Sequence, residues 1–436
     1  MSVLTVRPGD LRATATPVPA AALVGTPPGK RTVQRVAMIT ITAAFVFQPI
    51  LHPSGLLNSS PVDVLTVASI VTAAVWAWSG HVKLQVPFWV PVSLMVAAGA
   101  ASGLFGAMPG LALVTLATDL LLFAWCVTVA NVLAEPYIMR CALVAWCWSG
   151  IGWAAIVVAA RLGHVTALEG LQAASGNRVL FTFGDPNYAS AYWDATLFVV
   201  FATKVPSARW MRVVGYVLLL GALALTESNG GVLALGVAVC FLLLVRSHRI
   251  RGWVGAAGTA VVIGSAVTVF FTAFPLTSIR AWALNSGQSL LVNSIGRSAQ
   301  SSTERKVLIS EMVGLFQHSD SVLGVGPAGI KPVLAIELYP YSNEAHNDVL
   351  AALIERGVVG LLGLVLLVGL VAARAGPLMR GAVPARYAAV VPAPAGLVAA
   401  LLALAVNSFY EEVLHFRFLW ALLGIVAILG ADRRRR

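Results

Sequence analysis

Charge is what this sequence has least of. Only 11% of its 436 residues are Asp, Glu, Lys or Arg, while 58% are hydrophobic and the mean hydropathy is +0.85. An ordinary soluble domain carries about 25% charged residues, so that class is excluded. Acids are the scarcer sign: 18 stand against 29 basic residues, for a net charge of +11. Such an excess can mark a nucleic-acid binder, but no nucleic-acid motif accompanies it. The basic residues stand in short clusters between apolar runs, the pattern of cytoplasmic loops in a membrane protein. Cysteine is also sparse. Cys126, Cys141, Cys147 and Cys240 all lie inside apolar runs, which argues against a disulfide framework or a zinc site. His52, His164, His318 and His415 have no tight ligand spacing with His346, so no metal cofactor is expected. The sequence has no visible internal repeat.

Long apolar runs are abundant. They begin near Val36, Val62, Phe88, Gly110, Met139, Tyr188, Met211, Gly231, Trp253, Val349, Tyr387 and Val413. At about 20 residues per crossing, these make an all-α, polytopic membrane protein of about twelve spans. Residues 1–34, rich in Pro, Ala and Thr, read as a disordered cytoplasmic tail rather than a secretory signal. Residues 35–274 hold roughly nine of the spans, residues 275–346 a large extracytoplasmic loop, residues 347–431 the last spans, and residues 432–436 a basic cytoplasmic tail. Lys83, Arg140, Lys204, Arg209, Arg212, Arg246, Arg249, Arg251, Arg374, Arg380 and Arg386 fall in alternate loops, which places both termini in the cytoplasm.

The outward loops carry the chemistry. In Ser342-Asn343-Glu344-Ala345-His346-Asn347-Asp348, a histidine stands among polar residues at the start of an apolar run. Imidazole titrates near neutrality, which suits it to take a proton at a membrane surface. In the same loop, Glu304–Phe316 reads as an amphipathic helix with Leu308, Met312 and Leu315 on one face, and Gly324-Val325-Gly326-Pro327 as a tight turn. Asp185-Pro186-Asn187 reads as a helix cap. Asp119, Asp194 and the Glu355–Arg356 pair lie inside apolar runs, where each should find a partner or a cavity.

Three segments together resemble the O-antigen ligase-like family, which includes polysaccharide polymerases and protein O-oligosaccharyltransferases. They are Phe181-Thr182-Phe183-Gly184-Asp185-Pro186-Asn187-Tyr188-Ala189, then Leu323-Gly324-Val325-Gly326-Pro327 preceded by Arg305, and then His346-Asn347 with Glu355, Gly357 and Gly360. The resemblance implies an inverting membrane glycosyltransferase of the bacterial inner membrane, with neither metal nor nucleotide cofactor. Its partners would be a polyprenyl-diphosphate-linked glycan donor, a glycan, lipid or protein acceptor, and the bilayer. It implies that His346 is the catalytic histidine and that Arg305 binds the diphosphate. The family's second arginine would stand at Ser228-Asn229-Gly230, where this chain has Asn229. Arg280, Arg297 and Lys306 are the other cations of the loop that could contact substrate, and Asn187, Asn229, Asn347 and Glu355 complete the expected binding set. Glu411-Glu412 tops a span, where either could contact acceptor sugar. Ligation and polymerisation share this donor chemistry. The rival readings are a lipid-linked glycan or polysaccharide transporter, and an inactive assembly subunit of the same fold.

Overall fold

The computed structural model describes residues 28–52, 60–80, 83–169, 178–296, 298–318, 323–337, 339 and 342–431. Arg297, most of the expected N-terminal tail and the terminal basic tail lie outside them. The described residues are helical, with no strand among them. The principal helices are α1 (Pro28–Phe47), α2 (Pro61–Gly80), α3 (Trp89–Phe105), α4 (Pro109–Val132), α5 (Pro136–Leu162), α6 (Pro186–Thr203) and α7 (Arg209–Leu225). They continue as α8 (Asn229–Ala273), α9 (Leu276–Asn285), α10 (Ser298–His318), α11 (Ile330–Ile336), α12 (Asp348–Met379), α13 (Ala395–Asn407) and α14 (Arg417–Ala431).

Among the described residues, five helices, α2, α4, α5, α8 and α12, are long and apolar enough to cross a membrane, and the fold is that of a multi-pass membrane protein. Helix α8 contains two expected runs in one element, broken where Gly252 leaves helical geometry at φ +64°. Past the break its surface is apolar and open: Trp253 is 80% exposed and Val254 85%. A face of that kind suits acyl chains rather than water. The run expected to begin near Tyr387 yields only 13 helical residues, from Ala395. Pro392 and Pro394 delay it, because proline lacks the N–H a helix needs and biases the preceding residue toward extended backbone. At about 1.5 Å per residue, α13 spans only some 20 Å.

Helices α13 and α14 form the centre. α13 packs on α6 and α8, and α14 on α4 and α12. Trp125, Trp146, Trp193 and Tyr192 are among the largest fully buried side chains of the core. A buried ion pair pins the start of α14 to the start of α2: Arg417 Nε and Nη2 donate to the two oxygens of Asp63 at 2.9 and 2.7 Å. A second pair lies deeper, where Arg356 Nη2 donates to Asp119 at 2.7 Å. Asp119 thus has the partner its position demands, and this partner of Arg356 comes from another helix rather than from the neighbouring Glu355. Asn407 Nδ2 lies 3.5 Å from Asp194.

Helix α12 is interrupted at Gly357, which sits at φ +64°, ψ −168°. A break there frees the carbonyls of Ile354 and Glu355, and buried carbonyls need donors. The 324–327 turn supplies them: Val325 N–H donates to Ile354 O at 2.9 Å and Gly326 N–H to Glu355 O at 3.0 Å. A side chain at Gly324 (φ +85°) would meet the Glu355 carbonyl at 2.7 Å, so the close approach requires glycine. The turn is therefore built against the helix that carries the candidate site.

Candidate active site

His346 precedes α12, and Asn347 rather than His346 caps the helix. Asn347 Oδ1 accepts from Val349 N at 2.9 Å and Leu350 N at 3.0 Å. His346 sits at φ +46°. That left-handed conformation costs a non-glycine residue roughly 1 kcal/mol, so the surrounding contacts must hold it. The chief contact is Glu411, whose Oε1 lies 3.0 Å from His346 Nδ1. The ring remains 30% exposed, whereas the Glu411 side chain is almost fully buried. Burial pulls the His346 pKa down, but the hydrogen bond and charge of Glu411, with Glu344 and Glu412 behind it, push it up to about 9.

Glu411 belongs to a wider polar cluster. Asn187 Nδ2 donates to its Oε2 at 3.2 Å. Asn187 stands at the start of α6, which Asp185 caps by accepting from Asn187 N at 2.6 Å and Tyr188 N at 3.3 Å, with Pro186 in the first turn. The cap expected from Asp185-Pro186-Asn187 is therefore present. Burial, and then the charge of Glu411, raise the Asp185 pKa. Behind Glu411, Glu412 lies 3.6 Å from His415, and with Asp348, Glu355 and Arg356 it lines a small cavity below the His346 end of α12. Burial raises the Glu412 pKa, opposed by His415.

Arg305 projects from α10, the amphipathic helix expected over Glu304–Phe316. Leu308, Met312 and Leu315 of α10 are buried against α11 and the start of α12. The Arg305 guanidinium lies 5.0 Å from the centre of the Tyr410 ring, and Tyr410 immediately precedes Glu411. Tyr410 in turn packs on Gly230. The Ser228-Asn229-Gly230 turn, Arg305, Glu411 and His346 are thus brought to one end of the bundle. Asn229 Nδ2 donates to Ser294 O at 3.0 Å, and Arg280 Nε to Gly296 O at 3.1 Å. Both contacts join the Asn229 turn and α9 to the same 292–296 segment. Lys306 is exposed on α10, next to Arg305 but outside these contacts. Glu355 faces the cavity, away from the His346–Glu411 contact.

Residues 214–365, about a third of the chain, match the protein-family model described as O-antigen ligase. That stretch is similar to an O-antigen ligase domain. The resemblance read from the motifs is shown by this match, which contains Asn229, Arg280, Arg305, Lys306, His346, Asn347 and Glu355. Asn187 and Glu411 lie outside it and are brought to the domain by the fold. No curated protein matches the chain.

Arg178 is not among the residues singled out in the sequence, and Glu411 is read there as topping a span or touching acceptor sugar, not as the partner of His346. Glu411 carried one signal, an acidic pair in an acid-poor chain, within the connection before Arg417. Arg178 carried another, a lone cation just before the Phe181–Ala189 segment.

Proposed function

We propose that this O-antigen ligase-type protein moves a glycan from a polyprenyl diphosphate to an acceptor hydroxyl on the extracytoplasmic face of a bacterial inner membrane. The observation that carries the reading is the His346–Glu411 pair next to Tyr410, over whose ring Arg305 lies, in a chain that matches the O-antigen ligase family model. In the proposed step, the acceptor oxygen attacks the anomeric carbon as the carbon–oxygen bond to the diphosphate breaks. The acceptor proton passes to His346 Nε2, because Nδ1 is committed to Glu411. The diphosphate leaves with the bonding electrons, and Arg305 meets its charge with a planar pair of donors. One displacement inverts the anomeric centre. Metal and nucleotide have no part in the proposed step.

The test is to incubate the purified protein with lipid-linked glycan extracted from the producing cell, together with its acceptor, and to weigh the products. Transfer predicts an acceptor heavier by the glycan mass and free polyprenyl diphosphate. A single added unit would mean polymerisation, and a whole added chain ligation. Donor moved across a vesicle bilayer without any change of mass would make the protein a transporter, and no conversion at all an inactive subunit. In the same assay, Arg305→Lys should lose about tenfold, since lysine cannot make the paired contact. Asn229→Ala should lose less, because it removes only a neutral donor.

The proposed side follows from charge. Arg249 donates to the carbonyls of Leu378 and Met379 at the far end of α12, so the basic break in α8 and the end of α12 meet. Clusters of Lys and Arg mark the cytoplasmic side, which leaves the His346 end outside. An impermeant thiol reagent should label a cysteine at Ser310 and spare one at Ser207 in intact cells carrying a cysteine-free background. The reverse pattern would overturn the orientation.

A further inference from the structure

Arg178 is buried, and the proposed step makes no use of it. Its Nε donates to Thr226 O at 2.9 Å and its Nη2 to Asn187 Oδ1 at 3.2 Å. Ser228 Oγ donates to the same Asn187 oxygen at 2.8 Å. An amide has one acceptor end and one donor end. With both donors on its oxygen, Asn187 must turn its Nδ2–H to Glu411, whose other oxygen holds His346. Arg178, Asn187, Glu411 and His346 therefore form a continuous hydrogen-bonded chain, contributed by three separate stretches of the sequence.

The electrostatics of the site give this chain a purpose. Glu344, Glu411 and Glu412 act on His346. Asp185 and Asp348 lie near Glu411 and interact with its charge. On the positive side, His415 faces Glu412, Arg305 lies over Tyr410, and Arg178 acts on Asp185. A guanidinium does not release its proton in the working range. Arg178 therefore contributes a fixed positive charge at the buried end of the chain.

We propose that Arg178 is a positioning residue for His346: through Asn187 and Glu411 it fixes the imidazole's partner and offsets the acids gathered around it. The inference rests on the reading of His346 as the proton acceptor, but its test requires no substrate. The full chain would be purified in detergent micelles with ¹³Cε1-labelled histidine and titrated by NMR from neutral to alkaline pH. The His346 resonance is the one absent from His346→Gln. In the native protein its midpoint should lie near 9. Arg178→Gln removes a cation near the Glu411–His346 pair, so the imidazolium should persist to higher pH and the midpoint should rise. Arg178→Lys keeps the charge and should leave the midpoint in place. Arg178→Met, which retains the packing of the stem, should behave as Arg178→Gln and serves where the latter does not accumulate. An unmoved midpoint in Arg178→Gln and Arg178→Met would overturn the proposal. So would a fall toward the ordinary histidine value in every variant, the result expected if Arg178 only held the fold together. The transfer assay separates the two readings. Undiminished transfer by His346→Ala would defeat the functional reading, whereas an unmoved midpoint in an enzyme that needs His346 would defeat this inference alone.

Discussion

His346→Ala is expected to lower transfer by about 10²-fold or more, the usual size of a general-base contribution, while the protein still accumulates in the membrane. Accumulation should persist because Asn347, not His346, caps α12. The pH profile adds a sharper expectation. With the His346 pKa pushed up to about 9, most resting molecules hold an imidazolium at neutral pH. The proton acceptor is the neutral ring. At limiting donor, kcat/KM should therefore rise about tenfold per pH unit below the midpoint and level off above it. Glu411→Gln removes the two largest influences holding the proton on the ring. Its rise should begin at lower pH. Its plateau should be well below the native one, because a neutral amide orients the imidazole less firmly. Near pH 7 the two effects oppose, so the comparison is best made on the alkaline plateau. A native rate that falls as pH rises would mean that His346 acts as a cation or acid, and wild-type turnover by His346→Ala would remove it from the chemistry.

Much of this site was legible in the sequence wherever a local pattern carries the information. Asp185-Pro186-Asn187 has the composition of a helix cap, and it caps α6. Leu308, Met312 and Leu315 repeat at helical spacing, and their face is buried. Gly324 and Gly326 announce a turn because left-handed backbone suits glycine, and both have positive φ. What the turn does was not legible. It satisfies carbonyls freed by Gly357, some 30 residues later, and nothing local encodes that pairing. The partner of His346 was hidden for the same reason: Glu411 is 65 residues away and reaches the ring through a connection between α13 and α14. Arg178 was hidden more thoroughly. A cation in a polar loop looks like a solvated side chain until the fold buries it against Thr226 and Asn187. The start of α13 was misplaced because hydropathy counts the apolar residues before Pro392 and Pro394 without registering the missing N–H groups.

The second large effect concerns the fold rather than the chemistry. Asp119→Leu should destabilise the protein by about 3 kcal/mol or more, because it leaves the Arg356 guanidinium buried without its carboxylate. The side chains of both partners are nearly enclosed, at 12% and 8% exposed, so neither can turn to water. The two single losses should differ. Arg356→Met orphans a carboxylate, which can neutralise itself by taking a proton. Asp119→Leu orphans a guanidinium, which cannot discard one. Glu355 lies next to Arg356 and softens that loss. It does not cancel it, because the Glu355 carboxylate also accepts a backbone hydrogen bond from Ala328. Replacing both partners, as Asp119→Leu with Arg356→Met, should recover most of the native stability, since an apolar pair of similar volume avoids the cost of burying two charges. The measurement is thermal unfolding of the full chain in one detergent, followed by tryptophan fluorescence. The expected order of midpoints is native and double variant highest, Arg356→Met below them, and Asp119→Leu lowest. A double variant as unstable as the sum of the singles would mean that the pair specifies the packing of α4 against α12 rather than merely neutralising charge. An Arg356→Met protein less stable than Asp119→Leu would overturn this order, since methionine keeps the stem packing beside Gly99 and Gly360 and the orphaned carboxylate can take a proton.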